Sequence, residues 1–221
     1  MSQLSALMSS SIGRKAVMAV TGLLLIGFLI THVAANLLVL FDQKAFNDYS
    51  HALISNPLIY IAELGLLLIF VGHAINGLLV TMRNRTARPV AYEYKQRAGG
   101  VSRKTFSSTT MIVSGLVALV FVPLHIRAFK FGPEYESATN PGVRDLARLV
   151  LEEFQGPMMV AWYEVALLVL AFHAWHGVAS AMDSLGISHR TWLRNACRGL
   201  AVVIFAGFLI IPVAIYLGGV S

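Results

Sequence analysis

Five stretches of the sequence are apolar for long enough to cross a bilayer: about Ala16 to Leu40, Pro57 to Met82, Phe106 to Ala128, Pro157 to Met182 and Ala196 to Gly218. A crossing takes about 20 apolar residues, and a helix is the only open-ended structure that satisfies its own backbone inside lipid. The pattern predicts an all-α integral membrane bundle of five transmembrane helices, with residues 1–221 as one transmembrane domain. Arg14 and Lys15 ahead of the first run resemble the start of a signal peptide, but about 25 residues without a formal charge exceed a signal core. The first run is therefore read as an uncleaved span. Pro57 and Pro157 fall where a helix starts and tolerates proline, whereas Pro123 and Pro212 fall inside spans and predict local kinks.

Composition supports this picture and removes other classes. The 221 residues are 57% hydrophobic and 13% charged, where a soluble domain carries about a quarter charged residues, and the mean hydropathy is +0.70. That length leaves no room for a separate soluble catalytic domain beside five spans. The one cysteine, Cys197, cannot form an internal disulfide and reads as a small packing residue. A net charge of +6 would suggest nucleic acid in a soluble protein. Here it sorts by side of the membrane, and no nucleic-acid partner is implied. Arg14, Lys15, Arg83, Arg85, Arg88, Lys95, Arg97, Arg103, Lys104, Arg190, Arg194 and Arg198 fall on the N-terminal side, against Lys44, Arg127, Lys130, Arg144 and Arg148 on the other. The positive-inside rule then puts the N-terminus in the cytoplasm and the C-terminus outside; the expected location is the cytoplasmic (inner) membrane. The basic connection from Arg83 to Lys104, with Glu93 its one acid, is explained by topology and by attraction to anionic membrane lipid. In the longest outer connection, Leu146, Leu149, Val150 and Phe154 follow Asn140-Pro141 as a short amphipathic helix, lying on the surface or packed against the bundle ends. Trp162, Trp192, Tyr60 and Tyr92 fit interface belts, and His51 and His189 read as solvated loop histidines.

An ionisable residue at the centre of a span costs a few kcal/mol, so it needs a partner or a task. His32 lies about 16 residues into one outward-running helix and His125 about 19 into another, both in the outer half. His73 and His173 each lie about 16 residues into inward-running helices, in the inner half. The outward helices share a pattern, TGLLLIGFLITH from Thr21 to His32 and SGLVALVFVPLH from Ser114 to His125, with Gly22 and Gly115 ten residues before each histidine. The inward helices read HAING (His73 to Gly77) and HAWHG (His173 to Gly177). Gly77 and Gly177, one turn from a histidine, leave room for a flat ligand to approach the backbone. Two neutral imidazoles facing each other across a bundle suit bis-histidine haem ligation, which leaves no open position and so serves electron transfer. Zinc or iron transport is the other chemistry, but carboxylates beside the histidines would be expected, and none of the four has one within four positions. His173 aligns with His73 and is the expected ligand. His176 is placed to hydrogen-bond a haem propionate or a quinone, or simply to pack.

Taken together, the span count, the histidines on helices I to IV, and His173-Ala-Trp-His-Gly177 followed by Ser180 and Leu185-Gly186 resemble a known family. It is the five-helix, di-haem cytochrome b subunit of succinate dehydrogenases and fumarate reductases. The resemblance implies two haem b groups, the outer one held by His32 and His125 and the inner one by His73 and His173. It implies a membrane anchor for a flavoprotein subunit and an iron-sulfur subunit on the cytoplasmic side. Electrons would pass between the iron-sulfur subunit and a quinone, with menaquinone expected, in a succinate:menaquinone oxidoreductase. The same subunit in a fumarate reductase and a stand-alone quinol-linked cytochrome b remain open. Some relatives carry a glutamate two residues before the helix IV ligand; Ala171 stands there in this chain. Glu63 and Glu164 lie at similar depth near the outer edge and are candidates for a quinone and proton site, with pairing to Arg127 or Lys130 the alternative.

Overall fold

The computed structural model describes residues 10–86, 110–138, 140–187 and 191–219. Among them are seven helices: α1 (Ser11–Phe41), α2 (Gln43–Ile54), α3 (Ile59–Thr86), α4 (Met111–Phe129), α5 (Leu146–Glu153), α6 (Pro157–Ser184) and α7 (Thr191–Tyr216). Five of them, α1, α3, α4, α6 and α7, are long and apolar enough to cross a membrane. The bundle end carrying Ser11, Thr86, Met111 and Thr191 is termed the near end, and the opposite one the far end. The basic positions 88, 95, 97, 103, 104 and 190, together with Tyr92 and His189, lie outside the described residues.

Helix ends follow local chemistry. Ser10 caps α1 by accepting the Gly13 amide at 3.0 Å, and the helix continues through Arg14 and Lys15 before its apolar run begins. Asp42 closes α1 through its amide and opens α2 by accepting the Ala45 amide at 2.9 Å. Pro157 occupies the first turn of α6, where its missing N–H goes unused. Pro57 instead lies just ahead of α3, whose start is set by Asn56 accepting the Leu58 amide at 3.0 Å. Pro123 and Pro212 both fall inside helices, α4 and α7.

Packing is uneven. Helices α6 and α7 form the most extensive pair, α1 lies against both, and α4 packs on α6. Val33, Phe121, Val160, Tyr163, Ala166, Leu167, Ala201, Ile204 and Phe205 belong to their shared core. The approach of α1 to α7 is so close that a Cβ on Gly207 would sit 2.7 Å from Val33 Cγ2, so only glycine fits there. Helix α3 packs on α1 and more thinly on α4, and none of its residues is fully buried. Its Leu64, Leu67, Leu68, Val71 and Ile75 face outward, as suits a lipid-facing surface.

The far end is closed by α2 and α5. Of the two placements open to the amphipathic segment after Asn140-Pro141, the structure adopts packing against the bundle: Ala147, Leu149, Val150 and Phe154 are buried. Asn47 of α2 is 7% exposed and ties the two short helices together. Its amide N–H donates to Asp145 Oδ1 at 2.8 Å, and its carbonyl accepts the Ala147 backbone N–H at 2.8 Å. His51 is exposed and lies in the last turn of α2.

Candidate functional site

The four histidines at the two predicted depths meet as two pairs. His32 of α1 and His125 of α4 have ring centroids 5.8 Å apart with planes at 89°. His73 of α3 and His173 of α6 have centroids 6.4 Å apart at 71°. Eleven residues of helix separate Thr21, which touches His73, from His32, so the pairs lie about 16 Å apart along α1.

Each ring is fixed by polar neighbours. His73 Nδ1 lies 3.0 Å from Thr21 Oγ1, and His173 Nδ1 lies 2.9 Å from Ser114 Oγ. His125 Nδ1 is 3.1 Å from the Tyr163 hydroxyl. His32 Nδ1 is 3.3 Å from the amide nitrogen of Asn36, which also donates to the His32 carbonyl at 2.8 Å. Aromatic rings flank the far pair: Phe28 stacks on His32 with centroids 5.1 Å apart, and Phe121 on His125 at 5.7 Å. Tyr163 sits among Phe121, Phe129 and Phe154 and is 6% exposed.

The glycines of the repeat are placed less symmetrically than the pattern suggests. A Cβ on Gly22 would lie 3.2 Å from His73 Cε1, and one on Gly115 would lie 3.6 Å from His173 Cε1. Gly22 and Gly115 thus border the near pair, although each stands in sequence ten residues before a far-pair histidine. A Cβ on Gly77 would meet Met18 Cε at 3.6 Å, and one on Gly177 would meet nothing within 4 Å.

Paired imidazoles at this separation could hold one metal ion between them. Metal bonds to imidazole nitrogen run about 2 Å, so two of them plus the distance from nitrogen to ring centre on each side place the centroids roughly 6 Å apart. Among the described residues, no group of three or more His, Cys, Asp or Glu side chains could hold a metal ion. Two protein ligands with no third suit a metal whose remaining positions come from a macrocycle.

The chain is similar to the succinate dehydrogenase cytochrome b558 subunit of Bacillus subtilis (strain 168). The two are 25% identical over 180 residues, covering 80% of this chain and 81% of that one. No protein-family model matches the sequence, and no solved structure matches it.

The remaining candidate residues belong to neither histidine pair, although His176 lies within electrostatic reach of His173. His176 has Arg198 and Asp183 as its charged neighbours, and the Arg198 guanidinium lies 5.4 Å over the Trp175 ring. Glu63 forms an ion pair with Lys130 across α3 and α4. Glu164 is half-buried on α6, one residue from Tyr163, and its Oε1 is a buried atom with no hydrogen-bond partner. No hydrogen bond joins the two glutamates among the described residues. Thr21, Ser114, Tyr163 and Asn36 are the contacts that histidine spacing alone does not reveal. For Thr21 and Ser114 the signal is present in the repeat, since a hydroxyl residue precedes the glycine in both TGLLL and SGLVA.

Proposed function

We propose that the chain is a multi-pass di-haem cytochrome b, the membrane anchor and electron-transfer subunit of a succinate:menaquinone oxidoreductase. The observation carrying this reading is the stacking of two histidine pairs, 5.8 Å and 6.4 Å between centroids, at two depths of one bundle. The similarity to a succinate dehydrogenase cytochrome b558 subunit supports it independently.

In this reading His32 and His125 hold one haem iron and His73 and His173 the other. Bound haem supplies a one-electron carrier at each depth. Each site would supply two imidazoles to the group, a ligand set that suits electron transfer rather than oxygen chemistry. The near end faces the cytoplasm, where the iron-sulfur and flavoprotein subunits dock. Arg14, Arg194 and Arg198, whose buried Nε atoms lack hydrogen-bond partners, put positive charge at that end, and the far end is closed by α2 and α5. Quinone is exchanged toward the far end. Glu164 is the better placed of the two carboxylates to hold or release a proton there, because Glu63 is already paired with Lys130.

A dithionite-reduced minus oxidised spectrum with a haem count tests the reading. Two b-type haems per chain are expected, and a chain purified from its native membrane without haem would end it. Co-purification of flavin and iron-sulfur subunits is the further result expected of an anchor.

A further inference from the structure

The two histidine pairs are supported by different chemistry, and the difference decides which ring nitrogen is free. A serine or threonine hydroxyl has one proton to give and two lone pairs to accept with. Thr21 Oγ1 lies 2.7 Å from the Val17 carbonyl oxygen one turn back on α1, and it donates its proton there. Toward His73 Nδ1, at 3.0 Å, it can therefore only accept. Ser114 repeats the arrangement on α4, donating to the Met111 carbonyl at 3.0 Å and accepting from His173 Nδ1 at 2.9 Å. Both near-pair imidazoles must then carry their proton on Nδ1, which leaves the Nε2 lone pair unprotonated on each ring.

Nothing holds the far pair in that tautomer. Among the described residues no carbonyl takes the Tyr163 hydroxyl proton, so in its contact with His125 Nδ1 at 3.1 Å either group can donate. The nitrogen of Asn36 beside His32 Nδ1 is itself a donor, already bonded at 2.8 Å to the His32 carbonyl.

We propose that Thr21 and Ser114 are positioning residues for the near metal site: by accepting the Nδ1 protons of His73 and His173 they fix both rings in the tautomer that presents Nε2 as ligand. This rests on the di-haem reading above. An acceptor on the far side of a ligating imidazole orients the ring and makes it a stronger electron donor. A haem bound at the near site would thereby be held toward its oxidised form by two neutral acceptors, an arrangement that the far site does not impose on both of its rings. Gly22 and Gly115, next in sequence to the two hydroxyls, leave room for the rings to reach them.

The test compares Thr21→Val and Ser114→Ala with the unaltered chain in the native-membrane complex. Potentiometric titration of the two haems and low-spin EPR serve as readouts. Either variant should raise the midpoint of the near haem and change its EPR g-values, with the far haem unmoved. Retention of the near haem should fall about 10- to 100-fold, in line with loss of an outer partner of a metal ligand. Thr21→Ser keeps the hydroxyl and should restore both values. Unchanged midpoints and g-values in both variants, or a shift confined to the far haem, would overturn the proposal. A second measurement does not depend on haem: nitrogen-15 NMR of histidine-labelled full chain made without haem should show His73 and His173 as Nδ1–H tautomers. Nε2–H tautomers there would refute the positioning role whatever the spectra say. An unaltered chain with no haem but with Nδ1–H tautomers would sink the electron-transfer reading and leave the hydroxyl assignment standing.

Discussion

Gly22→Ala and Gly115→Ala add the same methyl group at equivalent positions of the internal repeat, yet they should not have the same effect. In a helix interior, alanine in place of glycine favours folding by about 0.8–1.0 kcal/mol. That contribution is common to both variants and cancels when they are compared. The space around the new Cβ does not cancel. At Gly115 it would lie 3.6 Å from His173 Cε1, within the roughly 3.5–4.0 Å at which carbon contacts are most favourable. At Gly22 it would lie 3.2 Å from His73 Cε1 and 3.8 Å from Nδ1, so the ring must give by a few tenths of an ångström. The ring is not free to do so, because its Nδ1 is bonded at 3.0 Å to Thr21, the neighbour of Gly22 on the same helix. Overpacking of this kind costs about 1–3 kcal/mol. Gly115→Ala should therefore be as stable as the unaltered chain or up to about 1 kcal/mol more stable. Gly22→Ala should fall below Gly115→Ala by about 1–3 kcal/mol. Equilibrium unfolding of the two proteins in mixed detergent micelles measures the difference directly. Stabilities equal within about 0.5 kcal/mol, or the reverse order, would refute the account of the near site given above.

Removing the histidines one at a time should separate the sites: His32→Ala or His125→Ala loses the far haem alone, His73→Ala or His173→Ala the near haem alone, and His176→Ala keeps both, all read from the haem count. Loss of a haem in His176→Ala with retention in His173→Ala would reassign the ligand on α6. Asn47→Ala strips the Asp145 carboxylate and the buried Ala147 amide of a partner, which should cost about 1–3 kcal/mol by thermal unfolding and speed hydrogen exchange across α5. Glu164→Gln should lower quinone turnover while Glu63→Gln changes stability by less than about 1 kcal/mol through its ion pair and leaves turnover near normal. The opposite ranking would move the proton site to Glu63.

The five long helices are legible because lipid imposes one simple demand, a sustained apolar run, and the chain meets it five times. Their ends are less legible. Helix α1 begins at Ser11, ahead of its apolar run, because a helix continues through Arg14 and Lys15 once Ser10 has capped it. Helix α2 gives almost no signal: its residues are largely polar, and of the two that are buried, Phe46 and Asn47, the second is held by α5, about a hundred residues away. The depths of the histidines follow from counting along the spans. Their hydrogen-bond partners do not, since Tyr163 near a span end looks like any interface aromatic, and only the packing of α6 on α4 turns its hydroxyl toward His125.

The repeat acquires a physical meaning from how the contacts divide between its halves. Thr21 supports His73 within the α1–α3 pair, and Ser114 supports His173 within the α4–α6 pair, whereas His73 meets His173 and His32 meets His125 only across the two pairs. Each half therefore orients its own near-pair histidine and completes neither pair. The junction between halves is weak on the α3 side, where no residue is fully buried and packing on α4 is thin. A group bridging His73 and His173 would fasten α3 to the other half where the protein itself does so least. By mass action a ligand present at 100 times its dissociation constant adds about 2.7 kcal/mol to the state that binds it, so the bound site and the bundle should stabilise one another. A group bound there would offset the thin packing beside α3, and hydrogen exchange in α3 should slow on haem loading more than in α7, which packs on α6 and α1 without it.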